Sequence, residues 1–161
     1  MDPRITLIVE QFTVATNTFT KALAGTERSA LLRRPSPHSN SMLWVAGHLT
    51  QFRCRLARLL GSERAIPWET LFATGSHAAP DDAYPPHEDV VALWYDVSAE
   101  VHGRLSAVSS VELDSPPAIR MPSTDGTLAG ALVLLAFHEG YHMGQLGYLR
   151  KWLGYSPVYD S

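Results

Sequence analysis

This sequence predicts an all-α fold, a four-helix bundle running up-down-down-up. Three observations predict it. Four segments carry apolar residues at helical spacing, each is bounded by capping residues, proline or glycine, and no stretch alternates in the manner of a strand. The first helix runs from about Pro3 to Leu23, with Ile5, Ile8, Phe12, Phe19 and Leu23 on one stripe. Pro3 suits its first turn, and the threonines Thr13, Thr16, Thr18 and Thr20 weaken its intrinsic propensity. The second runs from about Ser41 to Leu60. Ser39, Asn40 or Ser41 offers its cap, and Gly61 closes it. The third spans roughly Pro86 to Val108, opening on Glu88 and Asp89, with a stripe of Val90, Leu93, Val97, Val101, Leu105 and Val108. The fourth runs from about Asp125 to Leu153, capped by Thr124 or Asp125 and stopped by Gly154.

Connector lengths set the expected course. The stretch between Gly61 and Pro85, roughly 25 residues, reaches farther than a 20-residue helix is long, about 30 Å. It therefore allows a crossover that leaves the second and third helices parallel, while the shorter connectors join antiparallel neighbours. Trp68, Leu71 and Phe72 are apolar, so the crossover should pack on the bundle.

Composition bounds the function. The chain has 161 residues, 45% hydrophobic and 18% charged, with a net charge of −3. That suits one globular domain, residues 1–161, and gives no footprint for nucleic acid or an anionic membrane. No apolar run approaches the ~20 residues needed to span a bilayer. The basic stretch Arg53-Cys54-Arg55-Leu56-Ala57-Arg58 reads as a solvated helix flank. A single cysteine, Cys54, excludes an internal disulfide and fits a cytoplasmic location; off the seam, it reads as inert.

The run His138-Glu139-Gly140-Tyr141-His142 carries the chemistry. Two histidines four apart on a helix share a face and form a minimal clamp for a transition metal. They interrupt the expected seam of the fourth helix, Leu128, Ala131, Leu135, His138, His142, Gln145, Leu149 and Trp152. His48 interrupts the second-helix stripe of Val45, Phe52, Leu56 and Leu59 in the same way. In an up-down-down-up bundle these helices are antiparallel. His48 then lies roughly 10–12 Å from one end and His142 about 16 Å from it, a mismatch of about one turn. Three histidines with an open fourth position suit a catalytic zinc or a related divalent ion.

Other residues take lesser roles. Glu139 is either a base facing metal-bound water or a solvated or supporting group to one side. Gln145 either bonds substrate or bound water, or is a buried amide. Tyr141 and Tyr148 read as packing residues with wet tips, and Trp44, Trp94 and Trp152 as core or interface. His38, His77, His87 and His102 fall in loops or off the stripes and read as surface residues. The H-E-x-x-H run fits a zinc protease poorly. The extended protease form needs histidine where Tyr148 stands and glycine where Gln145 stands, and no glutamate follows Glu139.

Two blocks carry a family resemblance. One is Leu43-Trp44-Val45-Ala46-Gly47-His48-Leu49. The other runs from Phe137 to Gly154 with the core H-x-x-x-H-x-G-Q formed by His138, His142, Gly144 and Gln145. Together with the four-helix layout, they make nearly the whole chain similar to the DinB-like (YfiT-like) metalloenzymes. The resemblance implies the up-down-down-up bundle, a divalent ion such as zinc or nickel on His48, His138 and His142, and a homodimer. Glu139 stands where many members carry aspartate. Characterised relatives transfer or isomerise with low-molecular-weight thiols such as mycothiol and bacillithiol. The resemblance thus implies a thiol-dependent S-transferase or isomerase with a small-molecule substrate. A hydrolase using metal-bound hydroxide with Glu139 as base, and a non-catalytic metal- or small-ligand-binding bundle, are the alternatives. A solvent-connected cleft at the site would mark an enzyme, and a closed site a binding or structural protein.

Overall fold

The structure is a computed structural model that describes residues 2–76 and 78–159. Among the described residues every regular element is helical. Four long helices, α1 (Pro3–Leu23), α3 (Met42–Leu59), α4 (His87–Ala107) and α6 (Leu128–Trp152), are joined by connectors holding two single-turn helices, α2 (Arg28–Leu31) and α5 (Ser110–Leu113). The long helices match the expected spans to within a few residues. The single turns were not expected, because four residues are too few to show a period.

Local chemistry fixes the ends. The Asp2 carboxylate accepts the Arg4 backbone N–H, with Pro3 in the first turn, and the Ser41 hydroxyl accepts from Trp44. The α6 cap is Thr127 rather than Thr124 or Asp125, its hydroxyl accepting from Gly130. Asp125 stands behind it, one oxygen accepting from both the Thr127 N–H (3.0 Å) and its hydroxyl (2.8 Å). Gly61 and Gly154 follow α3 and α6 at φ +87° and +89°, a region glycine enters without cost.

The helices α3 and α1 each pack on both α4 and α6, forming a ring of four. Two apolar cores fill it. One gathers Phe19 and Leu23 of α1, Leu43 and Val45 of α3, Val90 and Trp94 of α4, and Leu146 and Leu149 of α6. The other gathers Ile5 and Phe12 of α1, Leu56 and Leu59 of α3, Val101 and Leu105 of α4, and Leu132 and Leu135 of α6. At the order of 2 kcal/mol for each large side chain, this burial dominates the folding energy.

The long connector between α3 and α4 is strapped to α3. Gln51 donates its amide N–H to the Trp68 carbonyl (2.6 Å), and Trp44 donates its indole N–H to the Ser76 hydroxyl (2.9 Å). Between them the Phe72 ring is fully buried against Gly47, where an added Cβ would fall 2.3–2.5 Å from three ring carbons. Glycine is thus required at position 47 for the strap to seat. Trp68 has φ +54°, a left-handed conformation that costs a tryptophan about 1–2 kcal/mol and that the Gln51 bond helps to hold. The expectation that Trp68, Leu71 and Phe72 pack on the bundle is met.

Candidate metal centre

The three predicted histidines converge. One ring nitrogen from each of His48, His138 and His142 lies within 4.8 Å of the other two. His48 comes from the first half of α3, and His138 and His142 from successive turns of α6. The His48 and His138 Nε2 atoms are 3.3 Å apart. That is about the spacing of neighbouring nitrogens on one tetrahedral zinc with bonds of ~2.0–2.1 Å.

Surrounding groups fix which nitrogen faces inward. His48 donates its Nδ1–H to the Phe72 carbonyl (2.8 Å), which can only accept, so Nε2 keeps its lone pair. His142 donates its Nδ1–H to Gln145 Oε1 (2.7 Å), again leaving Nε2 free. His138 Nδ1 is buried, with no hydrogen-bond partner among the described residues. Aromatic packing immobilises the rings. Trp44 stacks on His48 with centroids 4.8 Å apart, and Phe52 lies 4.1 Å from His138.

The electrostatics favour neutral ligands. Burial lowers all three imidazoles below their usual range. His138 falls to about 4, helped by its two histidine neighbours, while the Gln145 bond opposes the shift at His142. Neutral nitrogens on a common point, two of them fixed in tautomer by Phe72 and Gln145, form a donor set that fits a divalent ion. Each group binds protons in the unfolded chain before it does in the folded one. Stability is therefore fully present above pH ~6.5 and is lost as the pH falls toward 4. Melting temperatures of metal-free protein should fall over that window. Substituting His138 with phenylalanine should flatten the slope; an unchanged slope would exclude His138 as a source of it.

Of the roles expected for Glu139, its surroundings match the supporting one, to one side of the seam. It is neither a base aimed at the centre nor solvated. Its carboxylate is fully buried on Arg53, with Arg53 Nε donating to Oε1 (2.7 Å) and a second nitrogen donating to Oε2. Burial pushes the carboxyl up, and the guanidinium opposes this. Arg53 likewise is no solvated flank, being 1% exposed. Its remaining N–H groups reach the Thr16 hydroxyl (3.2 Å), the Ser98 hydroxyl (3.1 Å) and the Phe12 carbonyl (3.4 Å), and its plane lies 4.3 Å from the Trp94 ring. The pair thus ties all four long helices together. It also turns α6 so that residues 138 and 142 face α3.

The sequence does contain a signal for this pair. Arg53 interrupts the buried stripe Val45, Leu49, Leu56, and Glu139 interrupts Leu132, Leu135, Leu146, so opposite charges occupy facing seams. The true α6 face therefore includes Leu132, Glu139, Met143 and Leu146 beyond the expected seam. Gln145 bonds His142, as an orienting amide. Tyr141 and Tyr148 are mostly exposed; Trp44 and Trp94 are core, and Trp152 is partly exposed. Cys54 is buried, and burial raises its thiol, as an inert residue requires. His38 and His102 are exposed and His87 is half-buried; His77 lies outside the described residues.

The strap bears on the centre because the Phe72 carbonyl is the partner of His48. Gly47→Ala should force the buried Phe72 ring away and withdraw that carbonyl. We expect a stability loss of about 1–3 kcal/mol and a ten- to hundredfold loss of metal affinity. Denaturant melts and competition with a chromophoric chelator measure the two. Unchanged affinity in a destabilised variant would mean that the strap supports the fold alone.

A ring of four helices with three imidazoles converging between α3 and α6 defines an all-helical architecture, among the described residues, with a candidate three-histidine metal centre. The model of the DinB superfamily matches residues 11–146, which contain all three histidines, and the chain belongs to that superfamily. No curated protein matches the chain. No helix among the described residues is long and apolar enough to cross a membrane.

Proposed function

We propose that this protein is a metal-dependent enzyme whose divalent ion, zinc or nickel, is held by His48, His138 and His142, and that it transfers or isomerises a small molecule with a low-molecular-weight thiol. The observation that carries the reading is the convergence of three neutral imidazoles, two of them oriented by the Phe72 carbonyl and the Gln145 amide. A divalent ion on three neutral ligands keeps its +2 charge and acidifies a bound thiol or water. Trp44 and Phe52 pack beside the ligands and restrict water there.

Two observations weigh against the alternatives. A cleft open to solvent is lined in part by the ring of His138, which supports an accessible centre at that ligand. The hydrolase alternative needs Glu139 as its base, and that carboxylate is committed to Arg53. The up-down-down-up course is supported by the two cores, since the end of α1 meets the starts of α3 and α4 and the end of α6 in one of them. We read residues 1–161 as one domain, cytoplasmic, with an apolar flank of Leu7, Val14, Val133 and Phe137 that favours a homodimer.

Metal analysis of protein purified without a histidine tag tests the centre, and a conjugation assay against a panel of low-molecular-weight thiols tests the reaction. Near-stoichiometric zinc or nickel with thiol-dependent turnover is the expected result. Protein that neither retains nor takes up a divalent ion would overturn the reading. Turnover in the absence of any thiol would shift it to hydrolysis.

A further inference from the structure

The edge of the ring opposite the three histidines carries a cleft of about 330 Å³ between α1 and α4. Val9, Phe12, Val101 and Leu105 give it apolar walls, and the buried Arg53 and Ser98 lie at its inner end. Arg53 turns Nε and Nη2 to the Glu139 carboxylate. Its third nitrogen, Nη1, donates to the hydroxyls of Ser98 (3.1 Å) and Thr16 (3.2 Å), which both line the cleft. The buried ion pair therefore shows the cleft its positive side, and no acidic side chain is among the lining residues. The hydroxyls differ in what they have left to give. Thr13 and Thr16 donate their protons to the Val9 and Phe12 carbonyls, at 2.9 and 2.8 Å. Ser98 is 8% exposed and accepts from Arg53, and its own proton has no acceptor among the described residues. A hydroxyl that accepts from a guanidinium becomes a stronger donor.

We infer that this cleft is a second small-molecule site and that it takes a monocarboxylate with an apolar body, alkyl or aryl. One carboxylate oxygen accepts the Ser98 proton, with the Arg53 guanidinium behind that hydroxyl, and the body lies along Phe12, Val101 and Leu105. A hydrogen bond to a carboxylate is roughly twice as strong as one to a neutral amide or alcohol oxygen. The walls exclude a second charge, which would lose its hydration there without a partner, and they favour ring or chain carbon in proportion to its area. The site stands apart from the metal reading. None of its lining residues is a metal ligand, and none belongs to the apolar flank assigned to a homodimer.

Isothermal titration calorimetry of the full-length protein tests this with two carboxylates, phenylacetate and hexanoate, each against its neutral amide. At least one carboxylate should bind about tenfold more tightly than its amide. EDTA should leave that affinity unchanged, because the three histidines take no part. Ala99→Trp, a substitution of an exposed lining residue, should fill the cleft and abolish binding at an unchanged melting temperature. Ser98→Ala should weaken the carboxylate and close most of its gap to the amide. Binding by neither carboxylate, or equal binding of carboxylate and amide, would overturn the inference. Binding lost in EDTA would place the carboxylate on the metal centre, and binding that survives both substitutions would place it elsewhere. Either result likewise overturns it.

Discussion

Replacing His142 with alanine should abolish metal binding and leave the bundle folded. The imidazole is buried, and its Nε2 is freed for coordination by the Gln145 bond at Nδ1, so alanine removes one of three donors outright. The surrounding seam of Leu135, Met143, Leu146 and Leu149 keeps its packing, and apolar burial of that kind carries most of a helix's tertiary stability. In metal-free protein the substitution also thins a crowd of neutral imidazoles, two of whose nitrogens stand 3.3 Å apart, which offsets part of the lost contact. Bound metal stabilises the wild type by linkage, about 2.7 kcal/mol at a hundredfold excess over Kd. For a chain of this size that is roughly 5–10 °C of melting temperature. Circular dichroism melts with and without EDTA should therefore separate in the wild type and coincide in the variant. An equal chelator response in both proteins would remove His142 from the site. No response in either would favour a bundle without a metal.

The parts of this molecule that the sequence makes legible are those written in periodic side chains. The stripe of α1, from Ile5 through Phe12 to Leu23, is buried as expected, and so are Val90, Val97, Val101 and Leu105 of α4. The three histidines were legible for the same reason, as polar residues placed where the period demands an apolar one. What the period could not show falls into two kinds. The partner of His48 is a backbone carbonyl, that of Phe72, and a carbonyl has no letter in the sequence. Only the apolar run around Trp68 and Phe72 hinted that the crossover would reach α3. Arg53 was misread, and its pairing with Glu139 missed, because a charge on a helix is ordinarily a solvated one. The strand-free ring of four helices creates an exception, placing a guanidinium where α1, α4 and α6 supply acceptors for all of its N–H groups.

That exception yields the largest stability effect expected of any single substitution here. Glu139→Gln preserves size and removes the charge. The Arg53 guanidinium would be left 1% exposed in the centre of the bundle facing a neutral amide. Removing one partner of a buried pair costs about 3–5 kcal/mol, because the remaining charge keeps its desolvation penalty without compensation. At two to four degrees per kcal/mol, the melting temperature should fall by roughly 6–20 °C. The companion variant Arg53→Met with Glu139→Leu removes both charges and should recover most of that loss, since buried pairs contribute little beyond what apolar residues of similar volume supply. The two roles considered for Glu139 then separate cleanly. A base at the centre predicts lost turnover at an unchanged melting temperature. The tie to Arg53 predicts the reverse emphasis: a large fall in melting temperature for Glu139→Gln, its rescue in the double variant, and metal still bound by His48, His138 and His142 in whatever fraction remains folded.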